Sequence, residues 1–369
     1  MNDLEIMNNV LKLAKKGEGS TSPNPMVGAI IAKNGKIISR GFHKKAGLAH
    51  AEAKAIDNAG VSLEGAKLFV NLEPCCVWGR TPPCVDKIIS SGIKEVVFST
   101  LDPNPEVKGK SLRKLRKHGI KVKTGLLGKE AKRMNEVFFK NMEERKTFVS
   151  LKVAQSIDGK IATRNNKSKW ITSLKSRRYA KRMRDKYDAV LIGINTVVKD
   201  NPALCGIRKN PYKVVLDPSL RIPLKCKLVS NHPHKLIIFS SMPRSKQKLN
   251  ILKNKGVRIF NVNAKKQIMP LRRVLNTLYK IGVMSVYVEG GSFTLGKFID
   301  AKIADKIHFF IAPKIIGGDK AITSIGARGA AYPDNAVKIK DLHIEKIGND
   351  FLITGYPEFK HAKRKKQGK

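Results

Sequence analysis

The sequence predicts an α/β protein built as two successive units. Strand-like apolar runs alternate with helical segments along the chain. The 369 residues are enough for two separate cores. A short charged stretch, Glu144 to Thr147, interrupts the alternation and reads as the boundary. The first domain is therefore expected over 1–145, the second over 146–359, and a basic tail over 360–369. The tail, "KHAKRKKQGK", reads as a solvated, disordered end.

In the first unit, Asp3 to Gly17 has helical periodicity and ends in glycine. "VGAIIAKNGKIISRGFH" reads as two strands about the Asn34-Gly35 turn. Ala49 to Ala59 is helical and stopped by Gly60, and "AKLFVNLE" is a short strand. A helix over Pro83 to Ser91 starts on proline and ends at Gly92. "EVVFST", a helix over Ser111 to His118, "IKVKTG" and one long polar helix over Lys129 to Arg145 complete an α/β layer sandwich. The second unit opens with "TFVSLKVAQSIDGKIA". Further strands follow in "YDAVLIGINTVV", "KVVLD", "KLIIFSS", "VRIFNV", "VMSVYVEGGS", "KIHFFIAP" and "FLITGY". Helices are expected near Met269 to Lys280 and Thr294 to Ala301.

Composition narrows the class. No apolar run approaches the ~18 residues of a spanning helix, so no membrane role is expected. The N-terminus is amphipathic with early acidic residues, unlike a secretion signal, and a cytoplasmic location is expected. The net charge of +44 would by itself suggest nucleic acid, but the lysines are spread along the whole chain. An anionic, phosphorylated small molecule is the better partner, and no nucleic acid is expected. Five cysteines, Cys75, Cys76 and Cys84 clustered and Cys205 and Cys226 apart, do not form a disulfide framework. The clustering points to metal.

His50, Cys75 and Cys84 supply one nitrogen and two sulfurs, a donor set suited to catalytic zinc with one open position. Each is expected at a helix start after a strand, with Pro74 and Pro82-Pro83 stiffening the approach. Helix N-terminal N–H groups favour thiolates there. Glu52 then lies beside the metal without binding it, placed to take a proton from water and give one to a leaving amine. Zinc deaminases carry H-x-E followed by P-C-x-x-C. Here "HAE" and "PC" match, but the next ligand comes nine positions on. Cys76 reads as structural.

These segments resemble a known family. "TSPNPMVGAII", "GFHKKAGLAHAEAKAI", "NLEPCC…GRTPPC" and "DPNPEVKGKS" are similar to the deaminase domain of the bifunctional riboflavin-biosynthesis deaminase/reductases. "LKVAQSIDGKIA", "WITS", "NTVVKDNPAL" and "VEGG" continue the resemblance in the family's order. It implies a cytidine-deaminase-like α/β/α sandwich followed by a dihydrofolate-reductase-like α/β domain. The implied reactions are zinc-dependent deamination of 2,5-diamino-6-(5-phosphoribosylamino)pyrimidin-4(3H)-one, then NADPH-dependent reduction of the ribosyl group to ribityl phosphate. The resemblance also places Asn24, His43, Arg80, Asp102 and Asn104 at the deaminase substrate. Of these Arg80 has the firmest physical warrant, because a guanidinium suits a phosphate. Val77 stands where the family usually has a histidine facing substrate.

For the reductase, "VYVEGGSFTLG" offers a strand, paired glycines and a helix start, which suit a pyrophosphate. The resemblance assigns Gly291, Ser292, Phe293, Thr294, Leu295, Gly296 and Lys297 to NADPH, together with Ala154, Trp170, Thr196 and Asp200. It assigns Ser168, Arg184, Leu204, Arg208 and Glu289 to substrate. Pro218 replaces a serine usual at a cofactor contact, and "ALCGIR" is one residue longer than common family forms, which weakens Arg208. Glu289 is also a candidate proton donor. The oligomeric state, a homo-oligomer included, is left open. The rival reading is a zinc nucleobase deaminase acting on RNA with a degenerate reductase-like domain. A nucleic-acid-binding protein with a structural zinc is weaker, since Glu52 would have no use in a closed site.

Overall fold

The computed structural model describes residues 1–241, 245–262 and 269–359, so the basic tail lies outside the described residues. These residues divide into two compact units, with the break between Lys146 and Thr147. In the first unit the order is α1 (Asp3–Ala14), β1 (Gly28–Lys33), β2 (Lys36–Phe42), α2 (Ala51–Asp57), β3 (Lys67–Val70) and α3 (Cys84–Ser90). There follow β4 (Glu95–Phe98), α4 (Lys110–Lys117), β5 (Lys121–Thr124), α5 (Gly128–Met134) and α6 (Glu136–Glu144). The sheet runs β2-β1-β3-β4-β5. The hairpin and the β1/β3 pair are antiparallel, and β3, β4 and β5 are parallel.

Strand alternation sorts the apolar residues onto two faces. Ile31, Leu68, Val70, Val96 and Phe98 pack under α2, α3 and α4 through Ala51, Ala55, Val85, Ile88 and Leu115. Ile30, Phe69 and Val97 face the other way onto Ile6, Met7 and Val10 of α1. Gly41 lets α2 lie directly on β2. A Cβ there would sit 2.3 Å from the Ala51 carbonyl oxygen and 2.5 Å from the Ala55 nitrogen.

The second unit contains β6 (Phe148–Ser156), β7 (Lys160–Ala162), α7 (Leu174–Met183), β8 (Ala189–Gly193), α8 (Ile194–Asp200), β9 (Tyr212–Leu216) and α9 (Lys227–Asn231). Then come β10 (Leu236–Ser240), α10 (Lys246–Asn254), β11 (Arg258–Asn261), α11 (Leu271–Lys280), β12 (Ser285–Val288) and α12 (Ser292–Asp300). The last strands are β13 (Lys306–Ala312), β14 (Ile322–Thr323), β15 (Lys338–Ile347) and β16 (Asp350–Glu358). A nine-stranded sheet runs β11-β10-β9-β8-β12-β6-β13-β16-β15, and β7 pairs with β14. All pairs from β11 to β13 are parallel, and β16 and β15 add antiparallel. One face buries Val149, Leu151, Val286 and Val288 against Val274 and Leu278 of α11 and Phe298 of α12. The other buries Ile192, Val215 and Ile238 against Val197 of α8 and Leu252 of α10.

Three expectations need correction. The helix expected over Lys129 to Arg145 is two helices, broken at Asn135. The reason is tertiary: the buried Asn135 amide accepts from the Met26 N–H at 2.8 Å and donates to the Met26 carbonyl at 3.0 Å. Its backbone leaves the helical region to do so, at φ −106° and ψ 24°. "TFVSLKVAQSIDGKIA" is two strands, turned at Gly159 with φ +76°. "YDAVLIGINTVV" ends its strand at Gly193 and continues as α8. The edge strand β15 was not anticipated, because its largely exposed, charge-rich side chains give no buried face to read.

Candidate active sites

The first site is built where two short helices start. His50 is the N-cap of α2, Glu52 lies in its first turn, and Cys84 opens α3 behind Pro83. Cys75 comes from the loop leaving β3, and its Sγ accepts the Cys84 backbone N–H at 3.3 Å. His50 Nδ1 stands 3.4 Å from Cys75 Sγ and 3.3 Å from Cys84 Sγ. The three donor atoms all lie within 4.8 Å of one another. Ligands on one tetrahedral zinc would put nitrogen and sulfur about 3.6 Å apart, so the trio fits such an ion. On the far side of the ring, His50 Nε2 meets Thr81 Oγ1 at 3.4 Å.

The three donors also act on one another electrostatically. Hydrogen bonding from Cys84 and from His50 pulls the Cys75 thiol down to about 4, against burial. The Cys84 thiol is raised by its hydrogen bond to Cys75 and by burial. His50 is raised, chiefly by its hydrogen bond to Cys75. Glu52 is only 4% exposed, and burial with the nearby Cys75 charge pushes its carboxyl up to about 7. A carboxyl there both accepts and returns a proton near neutral pH.

Around this centre, His43 is buried and its pKa is lowered, chiefly by burial. Its Nδ1 meets the Ala49 carbonyl at 3.2 Å, its Nε2 lies 3.1 Å from the Asn24 amide, and its ring stands edge-on to His50. Asp102 is buried, which raises its carboxyl to about 6 against the pull of the Asn104 N–H. Asn104 is half-buried and Arg80 is exposed. Val77 precedes Trp78, which is exposed.

The second unit holds a cavity of about 500 Å³. Of the residues assigned to substrate, Ser168, Arg184, Leu204 and Glu289 line it. Of those assigned to NADPH, Ala154, Trp170, Thr196, Asp200, Gly291 and Leu295 line it. Ser292, Phe293, Thr294, Gly296 and Lys297 lie on α12 but not in the lining. Gly296 is also packed closely: a Cβ there would fall 1.9 Å from the Gly326 carbonyl oxygen. Lys297 reaches over the Phe293 ring at 5.2 Å. Arg208 is exposed and also outside the lining. Its backbone N–H, with those of Ile207 and Lys209, is held by the buried Asp185 carboxylate.

Two of the cavity residues that escaped the sequence reading make charged contacts there. Lys152 lines it from β6 and stands 3.7 Å from Glu289, which Arg184 grips through two nitrogens at 2.5 and 3.0 Å. Burial lowers the Lys152 pKa, although Glu289 opposes it. Burial works against the Glu289 carboxylate, yet Arg184 and Lys152 outweigh it and hold its pKa down. The available signal was a lone lysine inside the apolar run "FVSLKVA". Arg177 was missed as well: its guanidinium lies 4.0 Å over the Trp170 ring at the cavity wall.

A zinc-deaminase unit followed by a reductase unit thus defines the class of protein. Comparison with known proteins agrees. Residues 1–100 match the cytidine and deoxycytidylate deaminase zinc-binding region, and 147–353 match the RibD C-terminal domain. The riboflavin biosynthesis protein RibD of Aquifex aeolicus is 42% identical, over 95% of this chain and 97% of that protein. The Escherichia coli protein is 34% identical, over 96% and 99%. The structure of Acinetobacter baumannii RibD superposes with a TM-score of 0.86 at 33% identity, covering 96% of this chain and 99% of that one. A Thermotoga maritima deaminase/reductase gives 0.82 at 36% identity, covering 96% and 98%. The chain belongs to the RibD family of riboflavin biosynthesis proteins. It is a bifunctional deaminase and reductase that uses zinc and NADPH. The RNA-deaminase alternative is not favoured. Among the described residues no helix is long and apolar enough to cross a membrane.

Proposed function

We propose that the first unit deaminates 2,5-diamino-6-(5-phosphoribosylamino)pyrimidin-4(3H)-one and the second reduces the product's ribosyl group to a ribityl chain. His50, Cys75 and Cys84 would hold the zinc. When bound, that ion would lower the pKa of a water placed to attack the ring carbon. Glu52 takes the proton from that water and delivers it to the departing amine, a role suited to a buried carboxyl raised to about 7. His43, engaged at both ring nitrogens by the Ala49 carbonyl and the Asn24 amide, braces Asn24 toward the pyrimidine edge. Asp102 and Asn104 read the polar groups of the ring and ribose, and Arg80 takes the phosphate at the rim.

In the second unit, NADPH supplies the hydride for the sugar's anomeric carbon. The chain's own residues must place that carbon and give a proton to the ring oxygen as its bond to carbon breaks. Lys152 is suited to that donation: it lines the cavity and is aimed by its ion pair with Glu289. Glu289, already ion-paired on both sides, orients the lysine and Arg184 rather than donating itself. Trp170 with Arg177 on its face gives a flat wall for the cofactor. A cytoplasmic location and a homo-oligomer remain compatible expectations.

The observation that carries this reading is the gathering of His50, Cys75 and Cys84 beside the buried Glu52. The test supplies the diaminopyrimidinone ribosyl phosphate with and without NADPH and identifies products by mass. Without NADPH only the amino-for-oxygen exchange is expected; with it, the ribityl product follows. Product formed only from RNA substrates would overturn the reading.

A further inference from the structure

We propose that Glu73 is a positioning residue of the deaminase: it fixes the loop from Asp102 to Leu112 against the site, and substrate affinity depends on it. This rests on the reading that Asp102 and Asn104 hold the substrate.

Glu73 follows β3, two residues before Cys75, and is 2% exposed. Its partners are backbone N–H groups of a loop some thirty residues on. Oε2 accepts from Asp102 at 3.2 Å and from Gly109 at 2.9 Å, and Oε1 accepts from Leu112 at 3.3 Å. Its own N–H donates to the Thr100 carbonyl at 2.9 Å. The loop needs such an anchor. α4 is capped by Gly109, at φ +74° and with no side chain to accept a helix N–H. Glu73 supplies the missing acceptor from another element.

From that anchor the loop is a chain of short links. Asp102 Oδ1 accepts the Asn104 N–H at 2.8 Å, and Asn104 Oδ1 accepts the Glu106 N–H at 3.0 Å. Both candidate substrate residues are thus set by backbone tied at one end to a single carboxylate. A carboxylate accepts at both oxygens, whereas a carboxamide accepts at one and turns an NH2 toward the other set of donors. Glu73→Gln must therefore leave either Leu112 or the Asp102 and Gly109 pair facing a donor. Glu73→Asp keeps two acceptors but falls short by one methylene.

The test uses the zinc-loaded, full-length enzyme and its deaminase kinetics. Glu73→Gln is expected to raise KM about tenfold, the scale of a lost charged hydrogen bond. Its kcat, zinc content and reductase kinetics should stay at wild-type values, with Glu73→Asp between the two. Glu73→Gln combined with Asn104→Ala should raise KM by less than the product of the two single effects, because both act on the Asn104 contact while Glu73 also sets Asp102. A raised KM in Asn104→Ala with an unchanged KM in Glu73→Gln overturns the proposal while sparing the substrate reading. So does a Glu73→Gln defect confined to kcat, or one that multiplies fully with Asn104→Ala. An unchanged KM in Asn104→Ala sinks the substrate reading, and this proposal with it. If Glu73→Gln does not fold, Glu73→Asp carries the same comparison.

Discussion

The two catalytic units differ in how far along the chain their chemistry is gathered. In the deaminase, ligands 34 residues apart meet at the starts of two short helices. In the reductase, the Arg184–Glu289 pair joins residues 105 apart, and Lys152 reaches it from another strand. The first site is close to a local motif, with donors fixed by prolines and helix caps. The second exists only once a nine-stranded sheet has formed. A local site can be broken by one ligand; a sheet-borne site should answer to charges and to the sheet's own stability.

The sharpest test of that separation is Glu52→Gln. Deamination is expected to fall by about 10²–10⁴, the usual contribution of a positioned acid–base group. Zinc content by elemental analysis and reduction of already deaminated substrate should be unchanged. Loss of both activities together would break the division into separate sites. Cys84→Ser follows, with lowered bound zinc expected, because a hydroxyl is a poor substitute for a thiolate on that ion. Unchanged zinc content would remove Cys84 from the ligand set.

What the sequence revealed follows the same divide. His50, Glu52, Cys75 and Cys84 were legible because their spacing, with Pro74 and Pro83, already encodes convergence. Much of the reductase lining was legible by resemblance alone, since Ala154, Thr196 and Leu295 carry no chemistry of their own. Lys152 was invisible as a partner of Glu289 because β6 and β12 are neighbours only in the folded sheet. The break at Asn135 was hidden for the same reason: its partner, Met26, is 109 residues away. Glu73 was read as part of a motif, while its acceptor role depends on where the later loop returns.

Lys152→Gln sharpens the comparison from the reductase side. Removing the cation should lower the reductase kcat about tenfold to a hundredfold and leave deamination and NADPH affinity unchanged. The wild-type pH profile gives the sign. Burial lowers the lysine pKa, and the protonated form is the donor, so the rate should fall with rising pH below the ordinary lysine value of ~10.4. A rate flat through that range, or a normal kcat in Lys152→Gln, would assign the proton elsewhere.

The smallest effect concerns the sheet beneath that site. His308 on β13 is 4% exposed, with Nδ1 at 3.0 Å from Thr354 Oγ1 and Nε2 at 3.4 Å from Tyr187 Oη. Burial first, then the charges of Lys306 and Lys186, pull its pKa down to about 3. The folded value lies below the unfolded one of ~6.5, so the unfolded chain binds the proton more readily. Stability from this residue is complete above the unfolded pKa and drains as pH falls toward the folded one. At pH 5 the loss should be about 2 kcal/mol, or roughly 4–8 °C in the melting of the reductase unit. Amide exchange should locate the loosening in β13 and β16, and His308→Gln should flatten the pH dependence. A wild-type reductase sheet that keeps its protection at pH 5 would mean that the imidazole is charged in the fold. Tyr187 and Thr354 would then be acceptors, and this unit would owe its integrity to a buried charge rather than to a neutral ring.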